Sequence, residues 1–118
     1  MVRKAFKYCQ LIENETPVRI EVYGDLAGET VNQVSALTEA LFSKQIYSHI
    51  LDLSDTANIS SSGVGLLVTS FHTSSRSGGK IVLLKVAPFV REALQVCGLL
   101  EHIKITNYYE EAVEALRQ

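Results

Sequence analysis

ILDLSDTANISSSG, residues Ile50 to Gly63, is the stretch on which the reading of this chain turns. The apolar residues Ile50, Leu51 and Leu53 give way to a polar turn, and three consecutive serines then meet a glycine. Beyond it Val64, Leu67, Val68 and Phe71 recur at the i, i+3, i+4, i+7 spacing of one buried helix face. A strand therefore ends, a loop turns, and a helix opens on serine. At such a helix start the unpaired backbone N–H groups converge, and the helix dipole favours negative charge. A serine there can carry a phosphate on its hydroxyl or cap the helix, and the two roles are compatible.

Upstream, Phe6, Tyr8 and Gln10 alternate with Lys7 and Cys9 in the manner of a strand, ahead of the polar turn Glu13-Asn14-Glu15-Thr16-Pro17. Val18, Ile20 and Val22 then alternate with Arg19, Glu21 and Tyr23, so a second, half-buried strand follows and the two should form an antiparallel hairpin. Gly24 and Gly28 bracket the loop Asp25-Leu26-Ala27. A helix is predicted from Glu29 to Ser43, with Val31, Val34, Leu37 and Leu41 on one face.

Downstream, the helix that opens on the serines should run to about Ser75, and Gly78-Gly79 offers its stop. Ile81-Val82-Leu83-Leu84 reads as a strand covered on both faces. Pro88 fits the first turn of a third helix, with Phe89, Val90, Ala93, Leu94 and Cys97 inward and Gly98 closing it. A short strand over His102–Ile105 comes next. The last helix should open at Asn107, with Glu110 three positions on as in a capping box, and carry the stripe Tyr109, Ala112, Val113 and Leu116. Strands and helices alternating in this way make an α/β fold with a largely parallel sheet, mixed because of the opening hairpin. Sites in such folds sit at the carboxyl ends of the parallel strands, where the turn Ser54–Ser62 leaves the sheet.

A chain of 118 residues is enough for one domain with a real core and short for two. An apolar fraction of 47%, a charged fraction of 20% and a net charge of −2 describe a globular protein without the concentrated basic surface that nucleic acid requires. Arg3, Lys4 and Lys7 form the one dense basic patch, and they lie at the terminus. No apolar stretch approaches a membrane span, and charges and Gln10 interrupt any secretory signal at the start. Cys9 and Cys97 lie far apart in apolar patterns and read as buried thiols. His49, His72 and His102 show no metal-ligand spacing with each other or with either cysteine. The expectation is a cytoplasmic, metal-free domain.

Asp52-Leu53-Ser54, the turn after it, and Ile59-Ser60-Ser61-Ser62-Gly63 before an apolar helix together resemble the STAS domains, shared by sulfate transporters and anti-sigma factor antagonists. The element order extends the resemblance over nearly the whole chain, which implies a single STAS domain over residues 1–118 with a mixed sheet of about five strands and about four helices. In phosphorylated members the first serine after the motif's aspartate accepts the phosphate, and Ser61 falls on that position. Two departures stand out. Ser60 occupies the place of that aspartate, and Gly24-Asp25-Leu26-Ala27 ends in alanine where the family has aspartate.

The resemblance implies a bacterial anti-sigma factor antagonist that works by partner switching. Unphosphorylated, it would capture an anti-sigma factor that is also a serine kinase; phosphorylated on Ser61, it would be released. A serine phosphatase would reset the cycle. ATP would belong to the partner, so no cofactor and no catalysis are expected of this chain, and Gly63-x-Gly65 lacks the rest of a phosphate-cradling loop. Phosphate at the helix start should leave the fold intact and drive the partner off by repulsion and desolvation. The implied docking surface comprises Asp25, Asn58, Ser60, Ser61, Ser62, Gly63 and, on the helix, Thr69, His72 and Arg76. The family leaves two alternatives open: an accessory subunit of a membrane transporter, docking without phosphorylation, and a scaffold or dimerisation module.

Each candidate also has a plainer role. Any of Ser60, Ser61 and Ser62 can be the helix cap. Ser60 can cap or orient a neighbouring hydroxyl but cannot act as a base near neutral pH. Asp25 can stand in for the missing acid or bond its own backbone in a turn. Asn58 is a contact or a turn former. Thr69, His72 and Arg76 are contacts or an ordinary solvated face.

Overall fold

Cys9–Ile12 (β1) and Arg19–Tyr23 (β2) pair antiparallel, with Leu11 opposite Ile20, and bury alternate residues: Cys9 and Leu11 on one, Ile20 and Val22 on the other. The computed structural model describes residues 6–13 and 16–117. Arg3 and Lys4 of the basic patch, and Asn14 and Glu15 of the predicted turn, lie outside the described residues. The hairpin forms as expected with Cys9 buried, and its first strand begins at Cys9, three residues past Phe6. Phe6 is 43% exposed, because Leu11, not an aromatic, continues the inward alternation begun by Cys9.

The remaining elements are Glu29–Ser43 (α1), His49–Asp55 (β3), Ser61–Arg76 (α2), Ile81–Leu84 (β4), Pro88–Val96 (α3), Lys104–Thr106 (β5) and Tyr109–Arg117 (α4). Five strands make one mixed sheet in the order β1-β2-β3-β4-β5, parallel from β2 onward. Each crossover steps one strand in the same direction, so right-handed connections place α1, α2 and α3 on the same face. The packing agrees. Leu51, Leu53, Ile81 and Leu83 point into a core with Val34, Leu37, Leu41, Leu67, Val90 and Leu94. Ile50, Val82 and Leu84 point the other way, onto Ala112 and Ala115 of α4. Burying each large aliphatic side chain of this kind contributes roughly 1.5–3 kcal/mol.

Helix faces depart from expectation where the apolar spacing is ambiguous. Along α2 the buried row is Gly63, Leu67, Ser70 and Ser74, while Val64, Val68 and Phe71 are half-buried at its flanks. Small serines fit close against the core there, and the Ser74 hydroxyl donates to the Tyr47 carbonyl oxygen at 2.6 Å. α3 is short and seats only Val90 and Leu94, leaving Phe89 58% exposed and Cys97 at the surface. Cys9 is buried, and burial pushes its thiol up to about 11, so it stays protonated.

Gly98, at φ 80°, turns the chain into a 3-10 turn over Leu99–Glu101 that the sequence pattern does not announce. The last strand consequently begins two residues later than predicted. The last helix begins at Tyr109, and it is Glu111, not Glu110, that accepts from the Asn107 N–H, at 3.3 Å.

Candidate functional site

The parallel strands β2 and β3 end side by side, and the loops that leave them stay together. Leu26 donates its N–H to the Asn58 carbonyl oxygen (3.0 Å), and Ser60 donates its N–H to the Leu26 carbonyl oxygen (3.1 Å). Leu26 and Ile59 thereby form a parallel bridge beyond the sheet. Polar residues at the end of β3 and just past it reinforce the join: Gly24 donates its N–H to Asp55 Oδ2 at 3.1 Å, and the buried Thr56 hydroxyl donates to the Gly24 carbonyl oxygen at 2.8 Å. Asp52 accepts from the Ser54 N–H (3.0 Å) and hydroxyl (2.7 Å), which shapes the exit from the strand. Asp55 and Thr56 were not singled out from the sequence; the signal available was a run of polar residues directly after a buried strand.

The bridge delivers the chain to the start of α2, and the three serines take three different positions. Ser60 is the cap: its backbone is extended (φ −91°, ψ 171°) and its Oγ accepts from the Gly63 N–H at 3.1 Å. The same hydroxyl lies 3.4 Å from the Leu26 carbonyl oxygen and 2.9 Å from Ser62 Oγ. Ser61, the first helical residue, is exposed, and its hydroxyl makes no hydrogen bond among the described residues. With Ser60 and Ser62 engaged with each other, Ser61 is the serine of the three whose hydroxyl is uncommitted among the described residues. Serine in the aspartate's place thus still fills the capping role. Ser60→Ala should lower stability by about 1 kcal/mol, read as a shift of the urea midpoint at constant m. No shift would mean that the Ser60–Gly63 bond adds nothing to the helix start.

Gly63 is buried because the helix start is pressed against the loop from β2. A Cβ there would meet the Leu26 carbonyl oxygen and lie 2.7 Å from Ile59 Cγ1. Asp25 is placed beside the serine turn as expected; its carbonyl oxygen accepts from the Ala27 N–H at 3.0 Å, but among the described residues its carboxylate does not bond its own loop. Its carboxylate accepts from the Asn58 N–H (3.2 Å) and from Asn58 Nδ2 (3.4 Å to Oδ1, 3.3 Å to Oδ2). Asp25 and Asn58 are therefore each other's partners across the two loops.

Thr69, His72 and Arg76 are exposed. With Ser61 and Gly65 they share one helical face, at i, i+4, i+8, i+11 and i+15. A Cβ on Gly65 would meet nothing within 4 Å, so the face is open there as well. Gly65 was not a candidate from the sequence, and the helical period that finds Thr69 and His72 finds it too. His72 packs its ring against Phe71 with centroids 5.7 Å apart. The result is a continuous exposed stripe, headed by a free hydroxyl at a helix N-terminus.

Among the described residues no group of three or more His, Cys, Asp or Glu side chains is placed to hold a metal ion. Nor is any helix among them long and apolar enough to cross a membrane.

The STAS domain model matches residues 8–112. An anti-sigma F factor antagonist of Lysinibacillus sphaericus is 30% identical over 91 residues, covering 76% of this chain and 77% of that protein. The solved structure of the anti-sigma factor antagonist SpoIIAA in its unphosphorylated form superposes with a TM-score of 0.74 at 25% identity, over 92% of this chain and 97% of that one. The Bacillus cell fate determinant SpoIIAA in the phosphorylated form gives 0.73 at 26% identity, over 92% and 99%. Sheet order, the paired loops after β2 and β3 and these matches agree, and the chain belongs to the STAS domain family.

Proposed function

We propose that this protein is an anti-sigma factor antagonist, one STAS domain over its whole length, that works by partner switching in the bacterial cytoplasm. Unphosphorylated, it holds an anti-sigma factor with serine kinase activity through the serine turn and the exposed stripe of α2. The kinase uses its own ATP to phosphorylate Ser61, and a serine phosphatase restores the free hydroxyl. The chain itself needs no cofactor and performs no catalysis. The observation that carries this reading is the exposed, uncommitted Ser61 hydroxyl at the head of an open helical face. It is supported by the relative named as an anti-sigma F factor antagonist and by SpoIIAA, which exists in both phosphorylated and unphosphorylated forms. Those relatives favour the antagonist over a transporter subunit.

The physics of release is local. A phosphate adds about −1.5 to −2 charges at neutral pH, and the first turn of α2 tolerates them because its N–H groups and dipole point there. The fold stays; the docked surface does not. A partner packed over Ser61 would have to bury a dianion beside the Asp25 carboxylate, and along the stripe the first cation is Arg76, at the far end of the helix.

Affinity capture from native lysate with wild-type, Ser61→Ala and Ser61→Glu baits, read by mass spectrometry, tests the reading. Ser61→Ala should fold normally, retain the ATPase partner and incorporate no phosphate. Ser61→Glu should recover at least about tenfold less of it, given one added charge where phosphate adds more. Stoichiometric phosphate on Ser61→Ala would move the acceptor elsewhere. A transporter component held equally by all three baits would replace the antagonist reading with its rival.

A further inference from the structure

We propose that Asp25 and Asn58 form a clamp between the two loops that positions Ser61 for phosphoryl transfer, acting through hydrogen bonds and not through the charge or basicity of the carboxylate. The proposal rests on the reading of Ser61 as the acceptor and goes beyond it in assigning these two residues a role other than partner contact.

Both Asp25 oxygens face Asn58: Oδ1 accepts from its backbone N–H and its amide, and Oδ2 accepts from the same amide at 3.3 Å. The route from this clamp to Ser61 is short and continuous. Asn58 is followed by Ile59, which bridges to Leu26, and by Ser60, whose N–H bonds the Leu26 carbonyl oxygen at 3.1 Å and whose hydroxyl caps the helix. Ser61 is the next residue. The Leu26 backbone thus sets the origin of α2, and Asp25 beside it ties that backbone to the outer side of the serine loop. Two exposed partners give little global stability, since water competes for each bond. Their effect is on where the hydroxyl sits, and reaction rates are far more sensitive to such placement than folding is.

The clamp also decides which group can take the serine proton. In the transfer, Ser61 Oγ attacks the γ-phosphorus of the kinase-bound ATP, the new O–P bond forms, and the bond to the β–γ bridging oxygen breaks to release ADP. The hydroxyl proton must go to a base. Among the described residues neither Asp25 oxygen bonds the Ser61 hydroxyl, both facing Asn58 instead, and Ser60 cannot be a base. The proton goes to a group of the kinase.

The test uses the full chain as substrate for the ATPase recovered by the wild-type bait, with γ-labelled ATP, alongside amide hydrogen exchange on the chain alone. Asp25→Ala and Asn58→Ala should each lower kcat about tenfold with KM within about twofold, and the double variant should fall no further. Asp25→Asn retains an oxygen to accept from the Asn58 N–H and should stay within about threefold of wild type. The Ser60 amide should exchange faster in the alanine variants and not in Asp25→Asn. The proposal is overturned if Asp25→Asn falls as far as Asp25→Ala, if the two alanine losses add, or if neither variant loses rate. Absence of phosphate on the wild-type chain would instead overturn the acceptor reading, and the positioning role with it.

Discussion

Gly63→Val is expected to lower the unfolding free energy by about 3 kcal/mol, the upper end of the usual cost of overpacking, and to abolish partner capture. The obstacle is backbone. A side chain at this position runs into the Leu26 carbonyl oxygen, and that oxygen accepts the Ser60 N–H at 3.1 Å. Moving it aside breaks the bond that seats the helix start, and pushing the helix away uncovers Leu26 and Ile59. Neither relief is cheap. Valine would also displace the amide that the Ser60 cap holds at 3.1 Å. Gly65→Ala is the control two residues on, where the new methyl meets nothing within 4 Å. It should raise stability by roughly 0.5–1 kcal/mol, since alanine loses less backbone entropy in a helix. Urea titrations followed by far-UV circular dichroism give both values. Wild-type stability and capture in Gly63→Val would mean that the close seating of α2 on Leu26 does not matter.

The contrast between these two glycines shows what a sequence can and cannot disclose. Both stand in the same helical run; the difference lies in Ile59 of the preceding loop and in Leu26, which is 37 residues away from Gly63 along the chain. The elements themselves were legible where apolar spacing and punctuation agree. Glu29–Ser43 and Ile81–Leu84 fall at their predicted bounds, because a clean helical period and an unbroken apolar quartet each end at polar or glycine-rich turns. β1 starts later than the alternation from Phe6 suggests, because Phe6 and Tyr8 precede Cys9, where the inward alternation of Cys9 and Leu11 begins. α3 was overfilled for a similar reason: Phe89 and Cys97 match an inward spacing, but a nine-residue helix has room to seat only Val90 and Leu94.

At the site, the serine motif marked the place, and the backbone decides the roles. Which serine caps depends on which residue has extended dihedrals just before the first helical turn, and that depends on the bridge between Leu26 and Ile59. For Asp25 the sequence leaves a local turn role and a role beside the serines both open, because its neighbourhood shows only what it could bond locally. Its partner Asn58 comes from a different loop, brought near only by the parallel pairing of β2 with β3. The same pairing explains why the site lies here: two adjacent parallel strands end together, and their loops must share the space above the sheet edge.

Stability should fall by about 3 kcal/mol as pH drops from 6.5 to 4, through His49 alone. This histidine begins β3 and is 2% exposed, with Nδ1 unpartnered among the described residues. It faces a gap lined by Val34 and Thr38 of α1, Leu66, Leu67 and Ser70 of α2, Leu51 and Ile81 of the sheet, and Ile103, none of them charged. The Phe42 ring lies 6.2 Å from it, centroid to centroid. Burial without a counter-charge pulls its pKa down to about 4 from the ordinary 6.5. Above pH 6.5 the ring is neutral folded and unfolded, and its contribution is fully present. Below that the unfolded chain binds a proton that the folded chain refuses, so stability is lost until the folded ring also titrates near pH 4. Other groups titrate in the same window, and the comparison with His49→Leu removes them. The variant should lack this part of the slope, so the difference in unfolding free energy between the two proteins should change by about 3 kcal/mol between pH 7 and pH 4. Parallel profiles would require a group that compensates the charge on His49, and would place this ring in a wetter setting than its neighbours provide.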